Sequence, residues 1–256
     1  MGFVRTDEEL AEIRERMETN EFRDSRSLTV RFETTEVFVE RVLPPGLDPA
    51  DPLAEVNVHE VGESNCVGGF AGGALYVRAR HGDREGKYCL AMPMSTDAAI
   101  TWGRELFGEP KKRAAVTFEK DGPDVRGRIE RHGETVVDLR GDVTDEREGG
   151  TVEETVFHYK YLPDPTGDGL QFDPLLVGVA FENETRRLVT GSGTAELRST
   201  AHDAFGDVPV EETLGAAYAE TDMTTSQETL ATVDAEAFLP YAYGTGAYDD
   251  WLAMGA

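Results

Sequence analysis

The chain has 256 residues, 50 of them acidic and 25 basic, for a formal charge of −25 at pH 7. That excess excludes binding through a nucleic-acid backbone and attraction to anionic lipid, so neither a nucleic acid nor a membrane is expected as a partner. Hydrophobic residues make up 39% of the chain and recur with regular periodicity, which excludes a disordered acidic polymer and predicts one domain over residues 1–256 with a sizeable core.

Few Lys, more Arg and abundant Asp and Glu resemble the composition of proteins from salt-accumulating halophiles, and imply a cytoplasm with molar salt. The N-terminus turns acidic at once and carries no apolar leader, and nowhere do 18 apolar residues run together, so a soluble cytoplasmic protein is expected. Cys66 and Cys89 lie in strand-like segments with no second metal-binding pair, which reads as two buried free thiols.

Thr6 and Glu9 form a capping-box pattern ahead of Leu10, Ile13 and Met17, predicting an amphipathic helix over 7–19 that packs on the outside. Residues 27–33 alternate as a half-buried strand does. The stretch 34–43 is helix or strand, and 48–52, with Pro49 and Pro52, reads as a loop. Strand-like runs at 55–59 and 73–80 flank a middle rich in glycine. No Gly-Lys-Ser/Thr follows it, so a strand bend is favoured over a phosphate loop.

After a strand over 87–94, Ala98, Ala99, Trp102 and Leu106 at helical spacing predict a helix over 97–107. It must stop before Pro110, so Lys111 begins the next strand. Residues 114–119, 124–132, 135–143 and 151–161 read as successive strands of a meander. Residues 163–173 form a loop, and further strands are expected at 175–181, 186–197 and 210–222. The strand density predicts a mainly β (α+β) protein, an antiparallel barrel or sandwich with a few peripheral helices.

The segment Gly103-Arg104-Glu105-Leu106-Phe107-Gly108-Glu109-Pro110-Lys111-Lys112 holds two of only five lysines in the chain. An adjacent cation and an apolar pocket both oppose protonation of an amine, and that is how a lysine becomes a Schiff-base former. The segment resembles the signature of the acetoacetate decarboxylase family, in which Gly-Arg-Glu-Leu and Pro-Lys-Lys lie a few residues apart. Leu43 to Leu47, His59 to Cys66, Tyr161-Leu162-Pro163 with Gly167 and Gly169, and the 197–210 region extend the resemblance over most of residues 20–240.

The resemblance implies a curved sheet wrapped around an enclosed pocket, a keto acid as small-molecule substrate, no cofactor and a homo-oligomer. It makes Lys111 the amine that condenses with a ketone and Lys112 the cation beside it, with desolvation of Lys111 expected to outweigh that charge. It implies an arginine from an early strand, for which Arg26 is the match with Arg23 or Arg31 as substitutes, and two acids. One acid falls near Ala54 or Glu55, with Glu60 and Glu63 near enough to compensate, and the other on Gly69, a departure that leaves decarboxylation, aldol and dehydration chemistry all open. Glu105 matches the signature and either braces the junction or touches substrate. His59 is expected to be a hydrogen-bonded pocket wall and not a metal ligand, and no metal site is expected. His81, His132, His158 and His202 read as solvated or turn-borne, and Tyr243 as a proton shuttle if the chemistry is aldol-like. A non-catalytic binder is the alternative from another class.

Overall fold

In the computed structural model, which describes residues 2–244 and 247–254, the alternating segments form one twelve-stranded sheet. Helix α1 (Asp7–Glu18) starts from a reciprocal cap between Thr6 and Glu9 and buries none of its residues, so it rides on the outside. β1 (Asn20–Glu33) begins well before the alternation at 27–33. The ambiguous stretch after it is α2 (Glu36–Val42), fixed by Thr35 Oγ1 accepting from Phe38 N and by burial of Phe38 and Val39. β2 (Asp48–Val61) takes in the segment expected to be a loop. Its register against β4 slips between Pro49 and Ala54, where two prolines offer no N–H to a ladder.

β3 (Glu63–Ser64), β4 (Phe70–His81) and β5 (Arg84–Met94) follow, then α3 (Asp97–Phe107) with the bounds the spacing predicts, and β6 (Lys111–Arg113). β7 (Ala115–Asp121), β8 (Asp124–Arg131) and β9 (Glu134–Arg147) are successive hairpins. β10 (Gly150–Lys160) leaves the expected meander and pairs with β11 (Leu175–Leu197) and with β5. The two strands expected over 175–197 are this one strand, with a register slip between Thr185 and Arg187. β12 (Thr213–Thr232) runs ten residues past its expected end, and α4 (Ala235–Ala242), capped by Asp234, has no counterpart in the sequence reading. No helix among the described residues is long and apolar enough to cross a membrane.

The pairings β10-β5-β4-β2-β1-β12-β11 return to β10, closing a ring of seven strands. All are antiparallel except β5–β10 and the short β5–β6. β11 belongs to two layers. Its first half, Leu175–Thr185, pairs with β10, and its second half, Leu188–Leu197, pairs with β9 on the same edge, so β9 and β10 lie end to end. The β9-β8-β7 wing folds over the outside of β1 and β2, where Leu28, Val30, Val56 and Val58 meet Val125, Ile129 and Leu139 in the main core. Past the register slip between Phe22 and Ser25, even-numbered residues of β1, and those of β2 from Ala54, therefore turn toward the wing, and the odd-numbered ones face the inside of the ring.

Candidate active site

The ring encloses a cavity of about 1090 Å³, buried at the Lys111 end and exposed at the end carrying Arg31, Arg147 and Leu214. Three devices fix Lys111. Helix α3 ends at Gly108, whose φ of +74° suits glycine and turns the chain so that its N–H caps the Gly103 and Arg104 carbonyls. Glu109 N then bonds to Gly103 O at 3.2 Å. Finally β6 pairs in parallel with Met92–Met94 of β5.

Residues 109 and 111 share a face of this extended segment, and Lys111 Nζ lies 2.6 Å from Glu109 Oε2, both side chains about nine-tenths buried. The contact is an ion pair and not a directed hydrogen bond, since Glu109 Oε2 has no hydrogen-bond partner by geometry. Helix α3 presses directly on the pair: a Cβ at Gly103 would overlap Glu109 Oε2 and come within 2.6 Å of Lys111 Nζ.

Lys112 points the opposite way. Its ammonium donates to His202 O at 2.7 Å and Asp203 Oδ1 at 2.9 Å, and Asp203 also binds Arg131, which contacts Asp249. Burial pushes the Lys112 pKa down, and Asp203 opposes the shift. The charge expected to bear on Lys111 is thus engaged on the far side of the strand.

Two neutral histidines complete the buried end. His59 lines the cavity, its Nδ1 3.0 Å from Asn57 Oδ1, and burial followed by the Lys111 charge lowers its pKa to about 4. His158, expected to be solvated, is instead fully buried on β10. Neither of its ring nitrogens has a hydrogen-bond partner, and burial lowers its pKa to about 4, with Glu109 and Lys111 as the charges acting on it. The one signal for its burial was parity: Glu154 and Val156, on the same face of β10, line the cavity, and His158, next on that face, is buried without being part of the lining.

Glu55 does reach the cavity, but away from Lys111. It contacts Lys87 Nζ at 2.5 Å and Arg31 Nε at 3.3 Å, and Lys87 also meets Glu154 at 2.6 Å and lies over the Tyr76 ring. Burial opposes charge on both Glu55 and Lys87. Their mutual attraction outweighs it, holding the carboxyl below and the ammonium above their usual ranges.

Arg26 is on the even face of β1, paired with Glu60 at 2.6 Å and stacked over Phe118 outside the cavity. The arginine that β1 supplies to the lining is Arg31. Glu105 is exposed on the outer side of α3, where its carbonyl accepts from Lys160. At Gly69 a Cβ would lie 2.5 Å from Gly62 O, leaving no room for an acid there. The acid that sequence reasoning missed is Glu109, inside the very signature that was singled out. Tyr243 packs against Tyr248 and Trp251, away from the cavity lining. Both cysteines are free thiols, Cys89 buried in β5 and Cys66 half-buried in a turn and not a strand.

The acetoacetate decarboxylase (ADC) family profile matches residues 9–233. The chain belongs to the acetoacetate decarboxylase family. Over 248 residues it is 25% identical to a CLA biosynthesis isomerase of Lactiplantibacillus plantarum, covering 88% of each chain. It is 23% identical over 210 residues to an acetoacetate decarboxylase of Burkholderia ambifaria, covering 79% of this chain and 84% of that one. The acetoacetate decarboxylase structure from Legionella pneumophila superposes with a TM-score of 0.75 at 18% identity, over 83% of this chain and 87% of the other. An acetoacetate decarboxylase-like enzyme from Sphingomonas wittichii gives 0.71 at 20% identity, over 84% and 94%. These two likenesses establish the curved β fold around a pocket.

Proposed function

We propose that this family member is a Schiff-base enzyme acting on a small-molecule ketone or keto acid, with Lys111 as the amine and Glu109 as its proton carrier. The observation that carries this reading is the Lys111–Glu109 contact at 2.6 Å, buried at the closed end of the cavity. Glu109 takes a proton from Lys111, the free amine adds to the ketone carbon, and the carbinolamine regains that proton as it loses water, leaving an iminium. Glu109, again a carboxylate, then removes an α-proton to give an enamine. The enamine takes up a proton or an electrophile at carbon, and water releases the product and the amine. The iminium is its own electron sink, so this chemistry calls for no cofactor.

Enamine formation by proton removal fits this end of the cavity better than loss of CO₂ from acetoacetate. A β-keto acid seated on Lys111 would place its carboxylate beside Glu109, and the other lining cations, Arg31, Lys87 and Arg147, belong to the opposite end. The likeness to a relative called an isomerase supports that preference, and the likeness to Burkholderia decarboxylases supports the second reading, decarboxylation through the same enamine. Lys112 is a positioning residue in this account, tying β6 to Asp203. Borohydride added with a ketone should add the mass of one reduced adduct, lost in Lys111→Arg. An unlabelled wild-type protein with every ketone offered would overturn the reading, and release of CO₂ from acetoacetate without α-proton exchange would favour decarboxylation.

A further inference from the structure

The cavity has two charged poles. Lys111, Glu109 and His59 form one pole, and Arg31, Glu55, Lys87 and Glu154 form the other; the lining also holds the uncharged side chains Met92, Val156, Asn57 and Thr29. His59 and Glu55 are four residues apart on β2 and face the same way, which sets the poles about 13 Å apart at roughly 3.3 Å per strand residue. Buried lysine–glutamate pairs contribute little to stability compared with apolar packing, so stability does not explain this cluster on a lumen wall. Within it Lys87 is saturated by two carboxylates and a ring. Arg31 is not. Its Nε donates to Glu55 Oε2 at 3.3 Å, and its two terminal nitrogens make no hydrogen bond among the described residues. A guanidinium with a free edge is a bidentate site for a carboxylate.

We propose that the substrate is an extended oxo carboxylic acid, its ketone on Lys111 and its carboxylate on Arg31, with its uncharged chain laid along the lumen between them. An extended chain advances about 1.2 Å per bond, so a 13 Å span corresponds to roughly ten or eleven bonds between ketone and carboxylate. The cavity volume of about 1090 Å³ agrees, since it stands at the top of the range for sites that take drug-sized ligands and far exceeds what acetoacetate fills. The inference rests on the cavity being the catalytic site, and binding alone can test it without any covalent step.

The test is a series of oxo acids with the ketone two to fourteen bonds from the carboxylate, each paired with its primary amide. Kd is measured by calorimetry on wild type, Arg31→Gln and Arg26→Gln, and borohydride labelling of Lys111 is followed in parallel. Expected are a Kd minimum near ten bonds and a preference of about fivefold for acid over amide at that length, the size of an ionic contact made at a solvated rim. Arg31→Gln should erase the acid preference, and Arg26→Gln, outside the cavity, should keep both the optimum and the preference. Tightest binding at the shortest spacing, no dependence on length, or an acid preference that survives Arg31→Gln would each overturn the proposal. Absence of labelling with a retained optimum would sink the Schiff-base reading and leave the length rule standing.

Discussion

Glu109→Gln removes one charge from a pair of atoms 2.6 Å apart while keeping the shape that Gly103 packs against. At an effective dielectric constant of 20 two unit charges at that distance attract by about 6 kcal/mol before desolvation is counted. The lysine keeps its place at the closed end of the cavity, and the amine should still condense with a ketone. What should disappear is the base that removes the α-proton, a loss of about 10²–10⁴ in rate, or roughly 3–5 kcal/mol of barrier. The assay is a split measurement. Exchange of ketone α-protons into deuterated water, followed by NMR, should fall by that factor, while borohydride labelling of Lys111 stays within about tenfold of wild type. Unchanged exchange would refute Glu109 as the base, and loss of labelling with exchange would show that the carboxylate only places the amine. Thermal unfolding of the variant checks that the fold survives.

Lys112→Met should leave the pH dependence of Lys111 acylation where it is, because the removed ammonium faces Asp203, and should cost about 1–3 kcal/mol of stability in denaturant unfolding, less than a broken isolated pair since Asp203 keeps Arg131. His158 has a folded pKa of about 4 against an ordinary 6.5, so between those values the unfolded chain binds the proton first and stability falls as the pH falls. That loss approaches 1.4 kcal/mol per pH unit; His158→Phe should flatten the fall in unfolding free energy between pH 6.5 and 4 by about that slope, and an unaltered slope would contradict it. Finally, 50 acidic against 25 basic residues should make the unfolding midpoint rise from dilute buffer to molar potassium chloride, and an unchanged midpoint would remove the inference of a salt-adapted protein.

Local signals were legible and pairings between distant segments were not. Thr96, Gly108 and Pro110 bracket α3, so its bounds and the start of β6 could be read residue by residue. The place of Lys111, at the start of β6 and on the cavity wall, lay next to those signals. Arg26 and Arg31 differ only in parity on one strand, and parity depends on which layer β1 turns to the β9-β8-β7 wing, which no window of sequence reports. Glu109 was hidden by its place between Gly108 and Pro110, where it read as a turn residue restricted by proline, although two-residue spacing from Lys111 put both on one face. His158 was misread because β10 was taken for a meander strand with an open side. Only its pairing with β11 and β5 buries it.

Closure of the ring depends on β1, near the start of the chain, finding β12, which ends at Thr232. A nascent chain can form the β7–β9 hairpins early from local contacts, but the seams of β12 with β1 and β11 wait until residues 213–232 have been made. Such long loops make for slow folding, and until they close, β1 holds an open edge that invites pairing with other chains. Lys111 is therefore sheltered late: β6 and α3 take shape with the middle of the chain, while the closed ring around the lumen exists only once β12 has docked.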